Sequence, residues 1–162
     1  MIFVREQIVA YLNTVNVSFD LFSHPPCASS EESAKARKEA GTGNTVGAKA
    51  LLVKNKQTVY SVCVVSGTDR LNSKKVRHLI GKHGFVTPET MEAVTGGLRP
   101  GHMPPFGPQI FPNITNLIID MKLSKVEKLG FNAGEPTTSI VLSGRDYLRA
   151  CRKCCVLSDI TE

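Results

Sequence analysis

The chain has 162 residues, 41% hydrophobic and 21% charged, with a formal net charge of +6 and an isoelectric point near 9.2. This balance excludes a disordered or fibrous chain, and the length suits a single domain over residues 1–162. No apolar run approaches the roughly 20 residues of a membrane span, and the first residues lack a signal-peptide pattern. Five cysteines without disulfide-type spacing indicate reduced thiols, so we expect a cytoplasmic protein.

In chain order, helix and strand signals alternate in the first half. Val4, Ile8 and Leu12 recur at helical spacing and predict an amphipathic helix. Ser29 and Glu32 form a capping box that opens a second helix, Ala-rich and charged, which we place on the surface. The predicted elements are helices over 3–14 and 29–40 and strands over 17–22, 48–53 and 59–65, the last two joined as a hairpin.

The second half carries shorter signals. Thr87 precedes Pro88 and predicts a capped helix, and Ser143 with Asp146 can cap a last one. Elements are predicted as helices over 73–80, over 88–94 and from 143 onward, a helical turn over 125–129, and strands over 85–86, 117–120 and 139–142. Leu148, Cys151 and Cys155 are predicted to share one face of the last helix.

This order of elements lacks the regular β-α-β alternation of a doubly wound sheet. It predicts an α/β (α+β) fold with a mixed, largely antiparallel sheet that is barrel-like and surrounded by short helices.

The stretch over residues 96–107 has an unusual composition. Its twelve residues include four glycines and three prolines. Glycine lets a ligand approach the backbone closely, and proline stiffens the path. The composition fits either an ordinary surface connection or a stiff loop that binds through main-chain groups.

Lys49 is a lysine within an apolar strand, on the same face as Leu51 and Val53. If this face is the core, the ammonium is costly to bury unless it is paired, which would indicate a functional lysine. If the face is the outer one, Lys49 is merely solvated.

The remaining chemical motifs are incomplete. Cys151, Cys154 and Cys155 resemble half of a zinc site, but no second pair of ligands is present, so packing thiols are the simpler interpretation. The four histidines are scattered, and no nucleotide-binding glycine motif occurs. Any catalysis would therefore depend on positioning and electrostatics rather than on a covalent intermediate.

Two motifs carry a resemblance to a known family. The sequence TVGAKALLV over 45–53, followed by the loop over 96–107, resembles the YbaK/prolyl-tRNA synthetase-associated editing domain family. That family pairs a strand lysine in a G-x-K-A-L context with a P-G-x-x-P-P-F-G loop. The similarity continues through FNAGE at 131–135 and GRDYL at 144–148, and so covers roughly residues 15–150.

The resemblance implies an aminoacyl-tRNA deacylase that hydrolyses mischarged tRNA in trans, typically Ala- or Cys-tRNA(Pro). It implies that Lys49 contacts the terminal adenosine or the aminoacyl group, and that the backbone of the loop holds the ester carbonyl. The implied catalytic residues are Lys49 and Gly101, and the implied substrate-binding residues are Thr45, His102, Met103, Pro104, Pro105, Phe106, Asn132 and Gly134. Asn132 is the candidate for choosing the amino acid.

The resemblance also implies partners, namely the acceptor end of mischarged tRNA and prolyl-tRNA synthetase, and no metal or other cofactor. Two alternatives stay open at this point. The first is a non-catalytic module of the same fold that binds tRNA or a synthetase. The second is a metal-binding or redox role for the three clustered cysteines.

Overall fold

The computed structural model describes residues 3–27 and 29–162. In these residues the helices are α1 (Val4–Thr14), α2 (Ser30–Arg37), α3 (Ser73–Ile80), α4 (Pro88–Thr95) and α5 (Gly144–Cys151). The strands are β1 (Asp20–Ser23), β2 (Val46–Asn55), β3 (Tyr60–Ser66), β4 (His83–Phe85), β5 (Asn116–Asp120), β6 (Leu129–Asn132), β7 (Thr138–Leu142) and β8 (Cys155–Ser158). None of these helices has the length and apolar composition that a bilayer span requires.

The strands form one mixed sheet in the order β1-β7-β6-β2-β3-β5-β8, with β4 paired to β2. The predicted hairpin is confirmed, since β2 and β3 pair antiparallel along most of their length. Parallel pairing joins β2 to β6, β3 to β5 and β5 to β8. Within the described residues the outer strands β1 and β8 do not pair with each other. The mixed fold class is therefore confirmed, but the sheet is open rather than closed into a barrel.

Both faces of the sheet are covered. Along β3, Val62 and Val64 belong to the main core, whereas Cys63 and Val65 belong to a smaller cluster on the other face. Val76 of α3 packs into that smaller cluster. Because side chains alternate along a strand, this division explains why β3 is a continuous apolar run.

The capping signals are confirmed because they depend only on neighbouring residues. Ser29 Oγ accepts a hydrogen bond from the Glu32 amide at the start of α2. Thr87 caps α4 in the same way, with Pro88 at its first turn, and Ser143 caps α5. Each side-chain oxygen satisfies an amide that the first helical turn leaves without an intrahelical acceptor.

The structure corrects two predictions that concern non-local pairing. The predicted helical turn over 125–129 is wrong, since a 3₁₀ turn over Met121–Lys125 precedes it and Leu129 begins β6. The last helix ends at Cys151 and Cys155 begins β8, so these two thiols do not share a helix face. The strands β6 and β8 are short, and each depends on a strand that is distant in the sequence: β6 pairs with β2 as well as with the adjacent β7, and β8 pairs with β5. Their own residues therefore carry little local signal.

Candidate active site

A gap in the sheet creates the site. On one edge β2 pairs continuously with β3, but on the other edge β6 covers only Val46 and Gly47, and β4 begins its pairing at Val53. The hydrogen bond from the Gly67 amide to the Gly47 carbonyl shows that odd-numbered residues of β2 direct their peptide groups to β3. The Gly47–Gly130 pairing uses the Ala48 amide, so the Ala48 carbonyl and the peptide groups of Ala50 are the ones that point into the gap.

A cavity of about 320 Å³ lies against this edge. Its size is near the lower end of the roughly 300–1,000 Å³ range of small-molecule sites. Four of the predicted site residues line it together: Lys49, Gly101, Met103 and Asn132. The cavity therefore joins the strand lysine to the glycine–proline loop, two features that are about fifty residues apart in the sequence.

Lys49 is half-buried on β2, the middle strand of the sheet order, opposite Val65 of the smaller cluster. Its Nζ donates to the Asp69 carbonyl over 3.4 Å, which is long for a hydrogen bond. An ammonium has three donors, so one weak contact leaves it able to bind a ligand in the cavity. Lys49 is thus neither in the core nor on a fully solvated face, the two arrangements that the strand pattern allowed.

The loop over 96–107 is anchored rather than loose. Phe106 is fully buried and packs edge-to-face against Phe131 and Tyr147. The Tyr147 hydroxyl donates to the Pro105 carbonyl over 2.6 Å. Gly101, by contrast, is exposed with φ of +86°, and a Cβ placed on it would meet no atom within 4 Å. The loop therefore combines a rigid base with open backbone at the cavity.

We expect Tyr147→Phe to destabilise the protein by about 1–3 kcal/mol, because it leaves the buried Pro105 carbonyl without its donor. Denaturant unfolding measures the change. Tyr11→Phe is the matched control, since it removes a hydroxyl that donates to the Ala150 carbonyl and not to a loop residue, while it keeps the ring that packs on Phe106. If Tyr147→Phe leaves the rate of ester hydrolysis unchanged and lowers the free energy of unfolding no more than Tyr11→Phe does, the hydrogen bond to Pro105 does not anchor the loop.

The other predicted site residues lie outside this cavity. Pro104, Pro105 and Phe106 are buried and support the loop from behind, and His102 is half-buried beside them. Thr45 precedes β2, with a buried Oγ1 that has no partner in the described residues. Gly134 lines a second cavity of about 760 Å³ and lies against Val4 of α1. The structure thus does not bring Gly134 together with Lys49.

Arg37 lines the cavity and is not among the residues that the sequence predicts for the site. The Ala-rich, charged sequence of α2 predicts a surface helix, but Arg37 is only 3% exposed and Ser33, one turn earlier, is also buried. In the described residues Arg37 forms no ion pair with a carboxylate. Burial lowers the pKa of its guanidinium, and Cys27 acts in the opposite direction. Buried charges without an ionic partner are costly, and they mark candidate functional sites.

Two glycines make room for Arg37. A Cβ on Gly130 would come within 2.8 Å of Arg37 Cδ, and a Cβ on Gly47 within 3.4 Å of its Nη1. These glycines are a residue pair in the parallel contact between β2 and β6. Glycine within a strand often marks a place where another chain segment approaches the backbone closely. The two strand glycines are therefore the sequence signal that could have pointed to Arg37.

We expect Gly130→Ala to displace the Arg37 side chain and to lower the free energy of unfolding by about 1–3 kcal/mol, because the added methyl group overlaps Arg37. Gly84→Ala in β4 is the control, since nothing lies within 4 Å of a Cβ at that position. Equal stability of the two variants in thermal unfolding would show that the Arg37 side chain does not need the space that Gly130 leaves.

The cysteine cluster does not form a metal-type arrangement in the described part of the chain, where no group of three His, Cys, Asp or Glu residues is close enough to hold an ion. Cys151 is fully buried in the main core, and burial raises the pKa of its thiol. Burial also raises the pKa of the Cys155 thiol. High thiol pKa values disfavour the reactive thiolate, which agrees with packing roles.

Comparison with known proteins identifies the family. Residues 24–150 match the family described as aminoacyl-tRNA editing domain. The multifunctional Ser/Thr-tRNA deacylase ProXp-y of Escherichia coli K12 is 24% identical over 150 residues, which are 90% of this chain and 86% of that protein.

Solved structures show the same fold. The hypothetical protein APE2540 superposes with a TM-score of 0.80 at 23% identity, covering 97% of this chain and 100% of that one. A structure described as a candidate trans-editing enzyme for prolyl-tRNA synthetase gives 0.81 at 20% identity, covering 100% of this chain and 99% of that one. With the family match over most of its length, the chain belongs to the aminoacyl-tRNA editing domain family, whose enzymes hydrolyse the ester bond of mischarged aminoacyl-tRNA.

Proposed function

We propose that this chain hydrolyses mischarged aminoacyl-tRNA in trans, with the aminoacyl ester bound in the cavity between β2 and the loop over 96–107. The observation that carries the proposal is the meeting of Lys49, Gly101 and the uncovered edge of β2 around one cavity. Lys49 and Gly101 belong to family motifs, and together with the edge of β2 they offer a cation and backbone groups to one ligand.

In the proposed reaction, a water oxygen attacks the ester carbonyl carbon and the bond to the terminal ribose oxygen breaks. The ribose oxygen takes the proton, so that the products are a free amino acid and an uncharged tRNA. Backbone amides near Gly101 stabilise the negative charge that develops on the carbonyl oxygen. Lys49 binds the same charge or an adjacent phosphate.

The proposed reaction needs no base from the protein. The described residues that line the cavity include no carboxylate and no imidazole. An aminoacyl ester is already activated, and a ribose hydroxyl of the terminal adenosine can orient or deprotonate the water. Catalysis then depends on positioning and on charge stabilisation.

The proposed partner is the acceptor end of tRNA, first of all tRNA(Pro), with prolyl-tRNA synthetase as a second partner. Lys74 and Arg77 are exposed on α3, which covers the sheet face on which Lys49 lies. They offer contacts to tRNA phosphates. The amino acids to test are alanine and cysteine, from the family resemblance, and serine and threonine, from the name of the E. coli relative.

The test is a deacylation assay with purified protein on tRNA(Pro) charged with alanine, cysteine, serine, threonine or proline. We expect at least one mischarged ester to be released well above the buffer rate, while Pro-tRNA(Pro) is spared. If charged tRNA binds but every ester decays at the buffer rate, the chain is the non-catalytic binding module instead.

A further inference from the structure

Phe85 is an aromatic side chain that lies open to solvent. It is 68% exposed, more than any other large hydrophobic side chain in the described residues. It is the last residue of β4, where it lies directly opposite Val53 of β2. A single exposed apolar residue needs no explanation by itself, so the meaning of Phe85 depends on its surroundings.

The Phe85 ring shares a face of the sheet with Lys49. Side chains alternate along β2, so Lys49, Leu51 and Val53 lie on one face. Phe85 is the partner of Val53 and therefore lies on that face too. Leu51 lines the cavity that holds Lys49, and Val53 is the next residue on this face. The cavity thus leads along β2 toward Phe85, which lies at the far margin of the gap between β6 and β4.

The chain around Phe85 is strongly basic. Residues 70–88 contain five Lys or Arg residues and no Asp or Glu. Lys56, in the turn after β2, lies beside the start of β4, because its amide donates to the Lys82 carbonyl over 3.2 Å. Both lysine side chains are exposed, and neither forms an ion pair in the described residues. Lys54, by contrast, points to the other face of β2.

An exposed ring among cations fits an unpaired nucleotide better than it fits a lipid surface or an acidic peptide. A base stacks on the ring while its phosphate pairs with a cation, so one nucleotide uses both features. A membrane surface needs a broad apolar face, whereas the only large apolar side chains exposed in residues 70–88 are Leu79 and Phe85. An acidic peptide would use the cations and leave the ring in water.

The distance between Lys49 and Phe85 suits the unpaired end of a tRNA. Val53, the partner of Phe85, is four residues beyond Lys49, which is about 13 Å of extended strand. The unpaired 3′ end of a tRNA has about four nucleotides, and stacked nucleotides rise about 3.4 Å each. With the ester at Lys49, a nucleotide before the terminal adenosine therefore reaches the ring.

We propose that Phe85 is a stacking platform for one unpaired nucleotide of the tRNA 3′ end, upstream of the terminal adenosine, and that Lys56 and Lys82 bind the phosphates beside it. This inference rests on the proposed function and adds a second contact between the protein and its RNA. Stacking tolerates any base, so the platform holds the 3′ end in place without reading its sequence.

The first experiment measures binding of an uncharged RNA hairpin that copies the acceptor stem and unpaired 3′ end of tRNA(Pro), by fluorescence anisotropy. We expect Phe85→Ala to raise Kd by about 10–100-fold, the typical loss of one base–aromatic stack. Phe3→Ala is the matched control, since Phe3 is 65% exposed but lies at the start of α1, outside the basic segment. Wild-type affinity of Phe85→Ala, or an equal loss in both variants, would overturn the inference.

A double-mutant cycle identifies the stacked base. Each unpaired nucleotide of the hairpin is replaced in turn by an abasic one and tested against the wild type and Phe85→Ala. We expect one position before the terminal adenosine at which removal of both the base and the ring weakens binding no more than removal of either. Additive losses at every position would contradict stacking.

Further variants separate stacking from simple apolar contact. Phe85→Trp keeps an aromatic face, and we expect wild-type affinity for the hairpin, whereas Phe85→Leu is expected to bind as weakly as Phe85→Ala. Wild-type affinity of Phe85→Leu would contradict the proposal. Because Phe85 is exposed, we expect all three variants to fold. If thermal unfolding shows that Phe85→Ala does not fold, the tryptophan and leucine variants decide the question.

The lysines are tested through the salt dependence of hairpin binding. We expect Lys56→Gln and Lys82→Gln each to lower the slope of log K against log salt concentration by about one, because each removes one phosphate contact. Unchanged slopes would remove the lysines from the proposal. Binding to phosphatidylserine vesicles that requires Phe85, with hairpin binding unaffected by Phe85→Ala, would assign the ring to a lipid surface instead and overturn the inference.

The hydrolysis assay separates failure of this inference from failure of the proposed function. In single turnover we expect Phe85→Ala to raise the protein concentration that gives the half-maximal rate, and to leave the maximal rate nearly unchanged, because the ring lies away from the ester. Wild-type rates at every protein concentration would overturn the inference and leave the deacylase function intact. Coupling of the ring to one base in a protein that releases no amino acid would support the RNA contact and overturn the deacylase function.

Discussion

Lys49→Ala is expected to reduce kcat/KM for ester hydrolysis by about 10²–10³-fold, the typical loss when one group that stabilises the transition-state charge is removed. The expectation follows from the position of Lys49 at the cavity with one long contact, to the Asp69 carbonyl. Because that contact is weak, we expect the free energy of unfolding to change little. The measurement is single-turnover release of the amino acid, together with denaturant unfolding of the same preparation.

Lys54→Ala is the matched control, because Lys54 lies on the same strand but is exposed and outside the cavity. It removes the same charge from the protein. The account requires Lys54→Ala to retain nearly wild-type activity. Equal losses in the two variants would mean that Lys49 acts through general electrostatic attraction of tRNA and not at the ester.

Gly101→Ala is expected to slow hydrolysis by about 10–100-fold. Its φ of +86° is unfavourable for a residue with a Cβ, by about 1–2 kcal/mol. The backbone would relieve this strain by turning, and a turned amide no longer points at the ester oxygen. Since a Cβ at this position meets no atom within 4 Å, a rate loss would not arise from a clash inside the protein.

Gly96→Ala separates strain from catalysis. Gly96 has φ of +79°, equally open space around its Cβ, and a position at the end of α4 outside the Lys49 cavity. We expect both variants to lose similar stability and only Gly101→Ala to lose activity. If Gly96→Ala slows hydrolysis as much, general loosening of the loop explains the effect and Gly101 has no specific role.

Features encoded by neighbouring residues could be predicted from the sequence. The helix caps at Ser29, Thr87 and Ser143 and the β2–β3 hairpin depend on contacts within a few residues, and the structure confirms them. Only part of the candidate site could be predicted from the sequence. The motifs pointed to Lys49 and Gly101, but a shared cavity depends on the gap between β6 and β4 along β2, which is a property of the whole sheet.

Arg37 shows why the rest could not be predicted. Its helix reads as polar along its whole length, so periodicity places it on the surface. The guanidinium is buried because Gly47 and Gly130, from two different strands, leave space for it. Both glycines are too far from Arg37 in the sequence for helix or strand periodicity to link them to it. The same applies to β6, whose short sequence becomes a strand only through pairing on both sides.

The central claim is that this chain hydrolyses the aminoacyl ester. Its most direct test is a single-turnover time course with excess purified protein on mischarged tRNA(Pro), in which the released amino acid is quantified and the recovered tRNA is recharged with proline. The account predicts release far above the buffer rate with the tRNA fully rechargeable. Release no faster than buffer across the serine, threonine, alanine and cysteine esters, or tRNA that can no longer be recharged, would contradict it.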